Sequence, residues 1–201
     1  MAVPKTADAV VIGGGAMGTS VAYNLAKAGV KDVVLLEKSD ICSGSTGRCA
    51  GGFRQQFPTR PEAHLGKDSI DILFQLEDEL DCDFEFRPGG YLVLSYTEAH
   101  AENAKKEIAM QRELGIPVVW KTPSEIESLA PWLNQDEGFI GAAWCPTDGV
   151  LNPFKLTFGF ARAFERLGGK IFEHCAVTGI DKTGTNYLIH TEDGDIAAGM
   201  L

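Results

Sequence analysis

Val10-Val11-Ile12-Gly13-Gly14-Gly15-Ala16-Met17-Gly18 is the stretch of sequence that decides the fold of this chain. The continuous apolar run Ala9–Ile12 is typical of a strand that is buried on both faces of a parallel sheet. A glycine turn follows it, and Ala16–Ala28 has the apolar spacing of a helix. A second apolar run, Val33–Leu36, comes next. A strand, a helix and a strand within about 30 residues predict a βαβ unit.

Three glycines of this stretch have the G-x-G-x-x-G spacing of a dinucleotide-binding turn. Gly13 allows the tight turn, Gly15 lets the backbone approach a pyrophosphate, and Gly18 lets the helix pack on the strand. Glu37 ends the second strand about 20 residues later, where a carboxylate accepts hydrogen bonds from a ribose. The same carboxylate argues against NADP, because it would repel a 2′-phosphate. An ordinary glycine-rich turn is the alternative, but it leaves Glu37 unexplained.

Composition limits the remaining functions. The 201 residues include 18 Lys and Arg against 28 Asp and Glu, a net charge of −10, which argues against nucleic-acid binding. A single dinucleotide needs no basic surface, since helix N-termini bind its phosphates. The five cysteines form no CxxC pair and no histidine has metal-ligand spacing, so we expect reduced thiols, no metal and a cytoplasmic protein. No run is long and apolar enough to span a membrane.

The rest of the chain alternates between helical and strand-like patterns. Helices are predicted over residues 61–80, 98–114 with Thr97 as the cap, 122–130 and 153–167. Strands are predicted over residues 84–86, 91–94, 118–120, 141–144, 170–172 and 176–180. Residues 187–190 and 195–198 are predicted to form a hairpin around Asp193-Gly194.

The polar, glycine-rich loop Ser43–Gly52 distinguishes FAD from NAD, because a plain dehydrogenase has no need of it at this position. The chain resembles the FAD-dependent amine and amino-acid oxidoreductases of the D-amino-acid oxidase superfamily. Within them it is most similar to the sarcosine oxidase β-subunit and glycine oxidase group. The matching segments are Val10–Gly18, Leu35–Lys38, Ser43–Gly52, Phe53–Phe57, Arg87–Tyr91, Asp148–Gly149 with Asn152–Pro153, and Cys175–Ile180.

This resemblance implies an α/β fold in which a Rossmann-type FAD-binding domain, with a central parallel sheet, carries an inserted α+β substrate domain. Residues 1–83 and 147–201 would form the FAD-binding domain, and residues 84–146 would form part of the substrate domain. Family members continue beyond the position of Leu201 with more of both domains. We therefore expect a truncated, N-terminal portion that is inactive, or nearly so, without that segment or a partner chain.

The resemblance also implies a set of site residues. Besides Gly13, Gly15, Gly18 and Glu37, the expected cofactor-binding residues are Ala16, Met17, Lys38, Ser43, Ser45, Thr46, Arg48, Gly51, Gly52 and Val177. Arg48 has the alternative of being a surface cation. Arg54 is the expected catalytic-site residue, binding a substrate carboxylate, and its alternative is a salt bridge to a nearby acid. Some family members attach flavin covalently through a histidine near the position of Asn152. Because this chain has asparagine there, noncovalent FAD is expected.

The implied function is the oxidation of a small secondary amine or amino acid to an imine by hydride transfer to FAD. Sarcosine, glycine, proline and D-amino acids are the substrates that the resemblance implies. One alternative is a noncatalytic nucleotide-binding module or subunit that needs a partner chain. The other alternative is an NAD-linked dehydrogenase.

Overall fold

The computed structural model describes residues 2–201 and contains five α-helices and twelve strands in that range. The helices are α1 Ala16–Lys27, α2 Arg60–Leu80, α3 Glu98–Glu113, α4 Pro123–Leu129 and α5 Pro153–Arg166. The strands are β1 Thr6–Ile12, β2 Val33–Leu36, β3 Gly52–Phe53, β4 Arg87–Pro88, β5 Tyr91–Ser95, β6 Val119–Lys121, β7 Gly141–Cys145, β8 Gly149–Val150, β9 Lys170–Phe172, β10 Val177–Thr183, β11 Asn186–Thr191 and β12 Gly194–Met200.

The chain divides into two compact units. The first contains the residues up to Ala50, Asp78–Phe84 and Asn152–Leu201, and the second contains Gly51–Glu77 and Glu85–Leu151. This division follows contacts within the chain and not the binding of a cofactor. The assignment of residues 1–83 and 147–201 to a flavin domain and of residues 84–146 to a substrate domain therefore stays a prediction.

The first unit is built on a six-stranded sheet with the order β10-β11-β12-β1-β2-β9. The four strands β12, β1, β2 and β9 run parallel, and β10, β11 and β12 form an antiparallel meander. All four residues of β2 are buried, as expected for a strand that is covered on both faces. The predicted α/β class and the βαβ unit β1-α1-β2 are confirmed.

The core of the first unit lies on the sheet and under its helices. Val10, Val34 and Ile196 are buried in one apolar cluster that joins β1, β2 and β12. Helix α1 packs against α5, where the ring centroids of Tyr23 and Phe160 are 5.7 Å apart. Burying each such large side chain contributes about 1.5–3 kcal/mol. The parallel strands are thereby held under the two helices.

The second unit contains two three-stranded antiparallel sheets, β3-β8-β4 and β5-β7-β6. Helix α3 packs on the second sheet, and Ile108, Ile116 and Val118 are buried in the cluster between them. The side chain of Thr97 accepts a hydrogen bond from the backbone N–H of His100 at 3.2 Å. The predicted cap of α3 is therefore confirmed.

The predicted strand over residues 84–86 is wrong. Glu85 has φ +58°, a left-handed conformation that interrupts an extended chain. The strand instead forms at Arg87–Pro88, which pairs with β8, and Gly89 and Gly90 connect it to β5. The hairpin predicted around Asp193-Gly194 is confirmed by the pairing of Thr191 with Gly194.

Two findings bear on the environment of the protein. Between residues 2 and 201, no helix combines the length and the apolar character needed to cross a bilayer. All five cysteines are free thiols, and three of them, Cys42, Cys145 and Cys175, are buried.

A charged cluster on the meander generates a pH prediction. His190 lies between two carboxylates, with Nε2 3.0 Å from Asp181 Oδ2 and Nδ1 2.9 Å from Asp195 Oδ1. These hydrogen bonds, first to Asp181 and then to Asp195, raise the pKa of His190. The resulting stabilisation is complete below the unfolded-state pKa of about 6.5 and is lost as pH rises through the higher folded-state value. His190→Asn should therefore lower the melting temperature more at about pH 5.5 than at about pH 9.

The matched control is His100→Asn, which removes an exposed histidine of α3 that forms no ion pair in the described part of the chain. Its effect on the melting temperature should be the same at both pH values. If His190→Asn lowered the melting temperature equally at both pH values, the pairing of a charged His190 with the two carboxylates would not stabilise the fold.

Candidate functional site

The turn between β1 and α1 is shaped by its glycines. Gly13 has φ +107°, which L side chains rarely adopt, and its N–H donates to the carbonyl oxygen of Leu36 at 2.8 Å. A Cβ atom on Gly18 would lie 1.8 Å from the carbonyl oxygen of Gly13. Only glycine at position 18 lets α1 start this close to the strand.

Glu37 ties the end of β2 to this turn. One carboxylate oxygen accepts the N–H of Gly14 at 2.7 Å, and the other accepts the N–H of Ser39 at 2.8 Å. Gly14 was not among the predicted site residues, although a Cβ atom there would lie 2.4 Å from Cδ1 of Ile41. The signal for Gly14 was its place in the middle of an unbroken glycine triplet.

The N-terminus of α1 is joined to the second glycine-rich loop through Thr46. Its Oγ1 accepts the backbone N–H of Ala16 at 3.1 Å, and a Cβ atom on Gly15 would lie 3.0 Å from that oxygen. The first turn of α1 contains no acidic residue. The partial positive charge of the helix end therefore stays available to an anion.

A cavity of about 280 Å³ opens at the carboxyl ends of β1 and β2. In open parallel sheets this edge is where nucleotides bind. The predicted residues Gly13, Glu37, Lys38 and Val177 all line the cavity. Its other lining residues are Ile12, Leu36, Cys175 and Ala176. Sequence reasoning missed these four, although Cys175 and Ala176 directly precede the predicted Val177.

The other predicted cofactor residues do not gather at this cavity. Ser43, Ser45 and Arg48 are exposed on the loop, and Arg48 forms no ion pair within residues 2–201. Met17 is 81% exposed in the first turn of α1. Gly51 and Gly52 belong to the second compact unit.

A second pocket, of about 670 Å³, lies within the second unit and contains Arg54. Its wall is mostly apolar and includes Phe53, Phe57 and Tyr91. The guanidinium of Arg54 lies 5.0 Å from the ring centroid of Phe57. Among residues 2–201 it forms no ion pair within 4.0 Å, so the alternative of a salt bridge to a nearby acid is absent from this structure. The arrangement offers one guanidinium to an anion on an apolar surface.

Comparison with known proteins adds to this geometry. A family model described as FAD dependent oxidoreductase (DAO) matches residues 8–199. The chain belongs to the FAD dependent oxidoreductase family. The prediction from the glycine motif and the polar loop is thereby confirmed at the level of the family, and FAD is the cofactor that the family's description names.

The relatives of this chain have names that describe different activities. The chain is 30% identical to sarcosine oxidase subunit beta of Arthrobacter sp. over 98% of its own length and 50% of that protein. It is 31% identical to the mitochondrial pyruvate dehydrogenase phosphatase regulatory subunit of Mus musculus, over 98% of its own length and 22% of that protein. The crystal structure of L-proline dehydrogenase from P. horikoshii superimposes with a TM-score of 0.91 at 35% identity, covering 98% of the chain and 52% of that structure. The chain thus spans between 22% and 52% of the length of these relatives.

The residues present fit the dinucleotide part of FAD. The turn exposes backbone with no side chain at positions 13–15, and an open cavity with a carboxylate on its wall adjoins it. Gly13, Gly15, Ala16 and Thr46 would hold the pyrophosphate, and Glu37 and Val177 would hold the adenosine.

Glu37→Gln tests this arrangement. The amide has one acceptor oxygen, so the N–H of either Gly14 or Ser39 loses its partner, and a ribose loses its charged acceptor. Loss of charged hydrogen bonds costs roughly 1.5–3 kcal/mol, so FAD affinity should fall by about 10- to 150-fold. Flavin fluorescence titration measures it. Glu192→Gln, on an exposed turn, is the control and should leave the affinity unchanged. Equal affinities of the two variants would exclude Glu37 as a determinant of binding.

Proposed function

We propose that this chain binds FAD and part of the substrate in an enzyme that oxidises a small secondary amine or amino acid. The pocket of Arg54 is the observation that carries the proposal, because it offers a guanidinium that forms no ion pair with the described residues, in a member of a flavin-dependent family. A guanidinium binds a carboxylate in bidentate geometry, and an amino-acid substrate carries one.

FAD, when bound, would accept the hydride from the carbon next to the substrate nitrogen. The chain itself would bind and orient. The N-terminus of α1 would neutralise the pyrophosphate, and Glu37 would hold the ribose. Noncovalent attachment is supported at Asn152, whose side chain accepts the N–H groups of Phe154 and Lys155 at 3.1 Å each as the cap of α5.

The substrate would be anchored at Arg54 by its carboxylate and would rest on the aromatic side chains of Phe53 and Phe57. The names of two relatives, a sarcosine oxidase subunit and an L-proline dehydrogenase, support small secondary amino acids as the substrate class. Glycine and D-amino acids stay within the proposal, since the same carboxylate would reach the same guanidinium.

We infer that a partner chain or further polypeptide completes the catalytic site. The chain spans half of sarcosine oxidase subunit beta, which its name describes as one subunit of an enzyme. The five free thiols support the expected location in the cytoplasm, a reducing compartment.

The noncatalytic alternative is favoured by one observation. A relative of similar identity is named as a regulatory subunit of a phosphatase. In that case the chain would bind a dinucleotide and turn over no amine. The NAD-linked alternative has no such support, because the family description names FAD.

A first experiment separates these functions. The purified protein is mixed with FAD and desalted, and its visible spectrum is recorded. It is then assayed with sarcosine, glycine or L-proline and a redox dye, alone and with any partner chain that copurifies. Retained flavin with dye reduction, by the chain alone or with its partner, supports the oxidoreductase. Retained flavin without turnover even when the partner chain is present supports the noncatalytic module. Binding of NADH without retention of flavin would overturn the FAD assignment.

Arg54→Met tests the substrate anchor. Loss of a charged, bidentate contact costs roughly 1.5–3 kcal/mol, so in the enzyme completed by its partner chain or further polypeptide the KM for sarcosine should rise by about 10- to 150-fold while flavin is retained. The KM of Arg54→Lys should lie between those of the unsubstituted protein and Arg54→Met, because lysine keeps the positive charge but cannot bind a carboxylate in bidentate geometry. Arg60→Met is the control, since Arg60 is an exposed arginine that pairs with Glu113. An unchanged KM in Arg54→Met would remove Arg54 from the substrate site.

A further inference from the structure

The strand β8 organises the surroundings of Arg54. It lies between β3, which directly precedes Arg54, and β4. The strands are tightly packed, because a Cβ atom on Gly149 would lie 2.1 Å from the carbonyl oxygen of Arg87. Asp148 immediately precedes β8, so its side chain lies next to the segment that carries the arginine.

Both carboxylate oxygens of Asp148 are used by the two residues that follow Arg54. Oδ1 accepts the backbone N–H of Gln55 at 3.0 Å, and Oδ2 accepts the Nε2 group of Gln56 at 3.0 Å. The Nε2 group of Gln56 also donates to the carbonyl oxygen of Tyr91 at 3.0 Å. One side chain therefore connects the Arg54 segment to β8 and, through Gln56, to β5.

Burial of the Asp148 side chain is unfavourable for the free energy of folding if its role is purely structural. Asp148 is fully buried and forms no ion pair among residues 2–201. Burial raises the pKa of its carboxyl group, although hydrogen bonds from Gln56 and Gln55 oppose the change. Burying a charge without a counter-ion is unfavourable, and a neutral side chain of the same shape would cost less. What the carboxylate adds is a second acceptor oxygen, which an amide lacks, and that oxygen fixes Gln56.

We propose that Asp148 is a positioning residue that holds the segment Arg54–Gln56 so that the guanidinium faces its pocket. This inference rests on the proposed role of Arg54 as the anchor of the substrate carboxylate. Asp148 contacts neither substrate nor cofactor in this proposal and acts only through the backbone and side chain of the residues after Arg54.

A double-mutant cycle with the FAD-loaded protein tests the inference. In Asp148→Asn, Oδ1 keeps the N–H of Gln55, but the new amide N–H groups face the donor of Gln56, so Gln56 must move. The variants are Asp148→Asn, Arg54→Met, both together, and the control Asp136→Asn, an exposed aspartate of the same unit. The dissociation constants of sarcosine and of its amide, which lacks the carboxylate, are measured from the change in flavin absorbance.

Asp148→Asn should weaken sarcosine binding by about 5- to 100-fold and leave binding of the amide unchanged. In the Arg54→Met background the same substitution should have no further effect, because coupled residues are not additive. Where turnover is measured, KM should rise and kcat should stay within about twofold of the unsubstituted protein, since no group at the reacting atoms has changed.

Three other outcomes are decisive. If Arg54→Met weakens sarcosine binding but Asp148→Asn behaves like Asp136→Asn, the inference is overturned and the anchor stands. Equal losses for sarcosine and its amide would also overturn it, because they indicate general damage to the fold. If sarcosine does not bind, or if Arg54→Met does not weaken its binding, the proposed role of Arg54 as the anchor of the substrate carboxylate is wrong. The inference about Asp148 is then wrong as well.

Gln56→Met provides a second route if Asp148→Asn does not fold. It removes the donor to Asp148 and to Tyr91 with little change of volume. It should weaken sarcosine binding selectively, as Asp148→Asn does, and an unchanged dissociation constant would overturn the inference.

Discussion

The carboxylate of Glu37 accepts the N–H groups of Gly14 and Ser39, so one side chain joins the ends of β1 and β2. The rest of the nucleotide cleft depends on this bridge. It sets the path of the glycine turn, the turn directs the start of α1, and Thr46 then reaches the first N–H of that helix. A shift of the carboxylate would therefore move the turn and the helix end together.

The local part of the fold could be predicted from sequence, because it is encoded in short-range patterns. Apolar runs and glycine spacing predicted β1, α1 and β2, and residue type predicted the cap at Thr97. The two-residue strands β3, β4 and β8 are too short to show a period. The left-handed residue Glu85 was mistaken for strand because its neighbours Phe84 and Phe86 alternate with it. The parallel pairing of β12 with β1 joins residues 191 positions apart, such as Thr6 and Ala197, which no local pattern reports.

The candidate site was predictable to a similar extent. Gly13, Gly18 and Glu37 follow from spacing alone, because each position has a steric or hydrogen-bonding requirement. Their partners depend on tertiary contacts, and so Gly14, Cys175 and Asp148 were not predicted as site residues. Asp148 illustrates the difference, since the sequence shows only an Asp-Gly pair, whereas the fold places its two oxygens on Gln55 and Gln56.

The meander also has a consequence for association between chains. Strand β10 is an edge of the six-stranded sheet, and an open edge can pair with a strand from another molecule. Its ladder is irregular between Val177 and Gly179, and Asp181 and Lys182 place opposite charges along it. A regular, uncharged strand of another molecule that pairs with this edge would lose some backbone hydrogen bonds and would desolvate those charges. The strand that begins at the proposed adenosine pocket is thus a poor template for sheet extension at this edge.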